Sequence, residues 1–160
     1  MKPFAIILII LVLAAVVGVG WLYFNANLTV TYDSCIATDG VTQADYFDQL
    51  KKQVASGSFI GTVYSDQDLL TADHYQFLTY TVTLDNHAFL KAETAEIRVT
   101  PMQGDILMIG DPAEHSVPSG KKGTLSATIL TARDMHSVRE ATVTWYFWGI
   151  PFSEKLTLGQ

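Results

Sequence analysis

The side chains able to do chemistry in this chain are few and scattered. The four histidines, His74, His87, His115 and His136, lie 13, 28 and 21 residues apart, so none forms the H-x-x-x-H pair that presents two zinc ligands on one helix face. Cys35 stands alone and supplies no thiolate set. In Gly57-Ser58-Phe59-Ile60-Gly61 the serine directly follows the first glycine, whereas a nucleophile elbow needs it midway between the two. No phosphate-cradling or dinucleotide glycine loop is present. Asp66, Asp68 and Asp73 share one segment, and hard calcium favours carboxylates clustered on loops, but Leu70 stands where a further ligand is needed and no glycine allows the turn. That segment reads as a solvated loop. The expectation is a chain without cofactor or metal that is not an enzyme. The competing expectation is an anchored enzyme or small-ligand carrier with a dispersed site, and convergence of His74 or His115 with two acidic residues in one pocket would discriminate between them.

Recognition chemistry is better supplied. Ala141, Val143, Trp145 and Phe147 alternate with Thr142, Thr144, Tyr146 and Trp148, Gly149-Ile150-Pro151 reads as a turn, and Phe152 to Leu158 returns as the second arm of a hairpin. Trp145 and Phe147 are expected to face the core, with Tyr146, Trp148 and Phe152 on the other side. Either a helix or loop covers that second aromatic face, or it is a patch for a protein or glycan partner, since aromatic side chains are enriched where proteins bind.

The element that must position all of this comes first in the chain. Phe4 to Phe24 carries no charge and no proline. At 1.5 Å per residue it makes a helix of about 31 Å, the thickness of a bilayer's hydrocarbon core. Trp21, Tyr23 and Phe24 crowd its end, where amphipathic rings favour the headgroup layer. Lys2 and the α-amino group precede it, and no cation follows until Lys51. The positive-inside rule then puts the N-terminus in the cytoplasm and residues 25–160 outside. A cleaved signal peptide is the alternative, giving a secreted domain, but its apolar core is usually shorter. Cys35 follows Tyr-Asp-Ser rather than an apolar lipobox. A pilin-like start is also excluded, because the basic leader, processing glycine and following glutamate are missing. The sequon Asn27-Leu28-Thr29 lies too close to the span for a membrane-bound transferase.

The 160-residue chain has a net charge of −6, and setting Lys2 aside leaves nine basic groups against sixteen acidic ones. An acidic exterior argues against nucleic acid and against anionic lipid as partners. With one cysteine, no disulfide can form within the chain. Cys35 is read either as a small buried hydrophobe or as the site of an intermolecular disulfide, which leaves homo-oligomers open.

The expected boundaries are a cytoplasmic stub over 1–3, a transmembrane signal anchor over 4–24, a membrane-proximal strand and helix over 25–57, and an extracytoplasmic β-domain over 58–160. Leu28 to Asp33 alternates as a strand. Thr42 is placed to cap a helix over 43–55, with Ala44, Phe47, Leu50 and Val54 on one stripe and Ser56-Gly57 as its stop. Phe59 to Tyr64 follows as a strand, and Gln76 to Leu84 is the clearest one, ended by turn chemistry at Asp85-Asn86. Further strands are expected at Ala95 to Val99, Asp105 to Ile109 and Leu125 to Ile129, with Gly110-Asp111-Pro112 opening a loop. The pattern predicts an immunoglobulin-like antiparallel β-sandwich with one short helix. The runner-up is an α+β curved sheet with the helix packed on it, cystatin-like or nuclear-transport-factor-like.

Tyr80-Thr-Val-Thr-Leu-Asp-Asn86 resembles the strand-then-Asn opening of the late-embryogenesis-abundant type 2 domain and of bacterial adhesion-type immunoglobulin-like modules. Val117-Pro-Ser-Gly120 before Leu125-Ser-Ala-Thr-Ile129 is similar to their Pro-Gly turn, and Val143-Thr-Trp-Tyr146 resembles a closing strand. The resemblance covers about Tyr80 to Leu158. It implies a non-enzymatic β-sandwich anchored by one N-terminal span. Ser119 splits the Pro-Gly pair, and the 43–55 helix has no counterpart in that pattern.

Overall fold

The computed structural model describes residues 2–65, 67–111, 113 and 115–160. Asp66 of the aspartate loop and Pro112 of the expected Gly110-Asp111-Pro112 turn lie outside the described residues, as does Met1 of the stub. Helix α1 spans Lys2–Phe24. It is apolar on every side, so no one face favours packing against protein. Pro3–Trp21 is long and apolar enough to cross a membrane, and none of that stretch is buried against the rest of the chain. Asn25 ends it, its backbone and side-chain N–H groups both donating to the Trp21 carbonyl at 3.0 and 2.8 Å.

The rest of the chain forms two antiparallel sheets and a short helix. Strand β1 (Leu28–Asp39) is followed by helix α2 (Ala44–Ser56) and the short edge strand β2 (Gly61–Val63). Then come β3 (Tyr75–Asn86), β4 (Ala92–Val99), β5 (Asp105–Ile109), β6 (His115–Val117), β7 (Lys122–Ala132), β8 (Arg139–Phe147) and β9 (Ile150–Leu158). One sheet has the order β1-β3-β7-β5-β2 and the other β6-β4-β8-β9. Period-two alternation supplies the core between them: Leu78, Tyr80, Val82 and Leu84 of β3 share one cluster with Leu125, Ala127 and Ile129 of β7, Ala95, Ile97 and Val99 of β4, and Ala141, Val143, Trp145 and Phe147 of β8. Each large aliphatic side chain so buried contributes about 1.5–3 kcal/mol.

The outer face of the five-stranded sheet is covered at one end by α2. Phe47 and Leu50 pack with Tyr75, Phe77, Leu107 and Leu130 in a second cluster. Residues with consecutive buried side chains, Phe77-Leu78 and Ile129-Leu130, mark where both faces of the sheet are covered. The molecule therefore combines two facing sheets with a helix packed on the outside of one. Ala44, expected on the helix's apolar stripe, is exposed, and Val54 is half-buried.

Several local expectations are corrected. Thr42 does not cap α2: a 3-10 turn over Gly40–Gln43 leads into the helix, and the position before Ala44 is Gln43, with no side-chain capping bond. Gly57 does stop the helix, in the left-handed region at φ 70°, its N–H reaching the Gln53 and Val54 carbonyls. Strand β1 pairs with β3 from Leu28↔Asn86 to Asp39↔Gln76, with Leu28 and Val30 in the cluster between the sheets, while α2 packs on the second cluster at the end of the sheets far from α1. Asn86 does not turn but closes β3, fully buried. The last hairpin turns at Trp148 and Gly149, with φ of 51° and 74°, and Ile150 and Pro151 belong to β9. Positive φ at both central residues is the I′ geometry that matches the twist of a two-residue hairpin.

Candidate functional site

Chain direction gives the domain two ends. Strand β1 leaves α1 after three residues, so the segments 25–27, 87–91, 118–121 and 148–149 gather beside α1, and α2 with the loops 67–74, 100–104 and 133–138 gathers at the other end.

Beside α1, the expected aromatic group splits. Two-residue turning pairs Trp145 with Phe152, and because a one-residue change of register flips every side chain to the other face, Phe152 lies on the core side rather than with Tyr146 and Trp148. Its ring stacks on Trp145 at 6.4 Å and meets Phe147 edge-on at 5.5 Å. On its open side Phe152 meets Tyr23 of α1, 5.5 Å between ring centroids. This contact joins helix to domain. Trp145 Nε1 is a buried donor with no acceptor among the described residues, so that ring is held by apolar contacts alone. Tyr146 is half-buried on the outer face of β8, and Trp148 stands at the turn with 65 % of its surface exposed. An apolar groove of about 40 Å³ is lined by Val19, Tyr23 and Ala26 from the α1 side and by Leu90, Phe147, Trp148, Ile150 and Phe152 from the domain. Trp21 and Phe24 are exposed on α1.

The loop carrying Leu90 is fixed by Asn86. Its Nδ2 donates to the Leu90 and Val117 carbonyls, both at 2.8 Å, and its Oδ1 accepts from the Ala88 N–H at 3.0 Å. The Asn86 backbone pairs with Lys121 O and Gly120 N, Ser119 Oγ donates to Ala88 O, and His87 N donates to Asn27 O. A buried polar side chain satisfied this fully specifies one loop geometry. No sequence pattern separates such an asparagine from a turn asparagine.

A second candidate lies between the sheets at one side, a cleft of about 270 Å³ lined by residues of β4, β5 and β7 together with Asp111, Ala113 and His115. His115 Nε2 lies 2.7 Å from Asp111 Oδ2, and Glu96 lines the same cleft. His115 is thereby brought together with two acidic residues, which His74 is not: the latter pairs with Thr71 and Asp73 in an exposed loop. The Ala113 N–H above all, with His115, holds the Asp111 carboxyl below its ordinary range. Thr94 lines the cleft at φ 47° in a bulge of β4, a costly conformation for a β-branched residue. Among the described residues no three His, Cys, Asp or Glu side chains are grouped to hold a metal ion.

At the far end, Arg139 of β8 and Asp105 of β5 tie the two sheets together. The guanidinium donates from Nε and Nη2 to both carboxylate oxygens at 2.9 and 2.7 Å, with both side chains fully buried, and its Nη1 donates to the His136 and Val138 carbonyls. Burial pushes the Asp105 carboxyl up, but Arg139, the Met102 N–H and Thr131 together outweigh it and hold it below the ordinary range. Cys35 is half-buried against the main core, and burial raises its thiol, which keeps it protonated and a poor nucleophile. Tyr80 is likewise raised by burial and donates to Ser137 O at 2.6 Å. No protein-family model matches the chain, and no curated protein matches it in sequence, so its own residues carry the functional reading.

Proposed function

We propose that α1 is a single-pass anchor with its N-terminus in the cytoplasm, and that residues 25–160 form an extracytoplasmic domain that binds or scaffolds an envelope or surface partner. The observation that carries the reading is an apolar helix whose Pro3–Trp21 stretch is not buried by the rest of the chain and whose end meets the domain where Tyr23 packs on Phe152. Such a surface favours hydrocarbon over water. A reporter active only in the cytoplasm, fused after Gln160, should be silent, and activity would reject the orientation. The intact mass of the membrane-extracted chain tests retention, since a species shortened near Trp21 would mean a cleaved signal and a secreted domain.

The immunoglobulin-like reading is supported by strand order. Strands β1-β3-β7-β5 facing β4-β8-β9 correspond to the ABED and CFG sheets of that topology, with β2, β6 and α2 as additions. Such a sandwich is a scaffold for binding surfaces rather than evidence of one activity. A photo-reactive residue at Tyr146, on the outer face of β8, should capture a discrete partner that the same residue at Thr79 on the opposite sheet does not.

The cleft of His115, Asp111 and Glu96 favours a second reading, an anchored enzyme or small-ligand carrier, because it meets the convergence that reading requires. Strain at Thr94 points the same way. His115→Ala that leaves a measured ligand-binding or hydrolytic activity unchanged would remove it.

A further inference from the structure

We propose that the α1 side of the domain is itself a membrane contact, with the β3–β4 loop and the β8–β9 turn seated in the headgroup layer of the leaflet from which α1 emerges. The inference rests on α1 being a membrane anchor. Depth is the first argument. Trp148, Ile150 and Leu90 line one groove with Val19, which precedes Phe24 by five residues, or about 7 Å along a helix. Side chains level with Val19 lie inside the apolar span's outer edge, at the headgroup and acyl boundary.

Chemistry agrees with depth. Phe89 is 76 % exposed, Trp148 65 % and Ile150 46 %, so this end presents large apolar side chains to whatever surrounds the helix. Trp148 also breaks a local rule. The first position of a I′ turn favours Asn, Asp or Gly, yet here a tryptophan is held at φ 51° with its ring exposed. Departures of this kind concentrate where function requires them. Phe89 is carried on the loop that Asn86, Ser119 and Asn27 hold in place, so the side chain is presented by a rigid support.

Charge agrees as well. The segments 87–91, 118–122 and 147–151 contain Lys91, Lys121 and Lys122 and no acidic residue. The acids that flank them are Asp85, which is paired with Lys122 at 3.1 Å and lies 3.7 Å from His87, and Glu93, exposed at the start of β4 two residues after Lys91. The net charge of −6 therefore leaves this end locally basic, while at the opposite end Asp45 and Asp48 of α2 are balanced by Lys51 and Lys52 and the loop before β3 adds Asp68 and Asp73. Basic side chains around an inserted aromatic tip are the pattern of interfacial attachment to anionic leaflets.

Spin labels on the full chain in vesicles test the proposal. In a Cys35→Ser background, one label each is placed at Trp148→Cys, Phe89→Cys, Val12→Cys within α1 and Lys52→Cys on α2. Collision with oxygen and with a water-soluble nickel chelate gives depth in phosphatidylcholine vesicles with and without phosphatidylglycerol. The expected result is Val12 deep, Lys52 in water, and positions 148 and 89 within about 5–10 Å of the headgroup boundary. Labels at 148 and 89 as open to nickel as Lys52, with Val12 deep, would overturn the contact and leave the anchor standing. Labels there shielded from both reagents would overturn it in favour of a protein cover. Val12 open to nickel would overturn the anchor and the contact together. Lys91→Glu with Lys121→Glu should raise nickel access at Phe89 severalfold in anionic vesicles only, and an unchanged depth would remove the electrostatic part.

Discussion

The two ends of the β-domain each centre on one buried polar group, and those groups do opposite work. At the far end Arg139 and Asp105 neutralise each other between the sheets, and everything they contact is protein. At the α1 end Asn86 is equally buried, but the loop it holds presents Phe89 outward. A paired charge at one end secures the fold, while a neutral amide at the other shapes a surface. Substitutions at the far end should therefore break stability, and those at the near end should break placement.

The largest effect is expected at Arg139. Arg139→Met leaves Asp105 buried without its partner and should cost about 3–5 kcal/mol in denaturant unfolding of the full chain in micelles. Adding Asp105→Leu should recover most of that loss, and a single-variant cost below about 1 kcal/mol would show that the pair does not join the sheets. Asn86→Ala comes next. Stranding the Leu90 and Val117 carbonyls and the Ala88 N–H should cost about 3 kcal/mol, with faster hydrogen exchange at Ala88 and Phe89. Unchanged exchange there would mean that the loop is held by something else.

Acid sharpens the same contrast. Asp105 is held below its ordinary range in the folded chain, so its contribution is fully present above the unfolded value of about 3.9 and is lost as pH falls through the lower folded value. Stability should decline below about pH 4, and Asp105→Asn should flatten that decline in pH-dependent melting. Substitution at Gly57 tests the helix that covers the far end: Gly57→Ala forces a side chain into φ 70° and should cost about 1 kcal/mol, with no clash to add to it. The smallest change in stability belongs to Trp148. Trp148→Asn suits the I′ turn better and should shift unfolding by no more than about 0.5 kcal/mol, in the stabilising direction. The same variant should withdraw the turn from the headgroup layer. A large loss of stability would make Trp148 part of the core instead.

Local patterns were readable wherever burial follows a fixed period. The alternation over β3, the Gly57 stop and the uncharged run all appear in the structure because each depends on neighbours within a few residues. Gly149-Ile150-Pro151 and Trp148-Gly149 both offer turn chemistry, and only strand pairing chooses between them. A two-residue turn ending in glycine was the available signal. That choice also decided the face on which Phe152 lies. Asparagine suits a turn and a buried strand end alike, so Asn86 carries no local sign of its role, and the Arg139–Asp105 pair spans 34 residues that carry no mark of their meeting.

The amino-acid sequence by itself determined that an uncharged run precedes an acidic, β-rich stretch with no disulfide within the chain, because hydrophobicity, alternation and residue counts need no knowledge of distant contacts. Tertiary structure alone decided which residues share an end. Antiparallel pairing brought Leu90, Trp148 and Ile150 into one groove with Val19, and gathered His115, Asp111 and Glu96 into one cleft. The physical reason is that pairing register and sheet order are settled by contacts between residues distant in the chain, where no local period reaches.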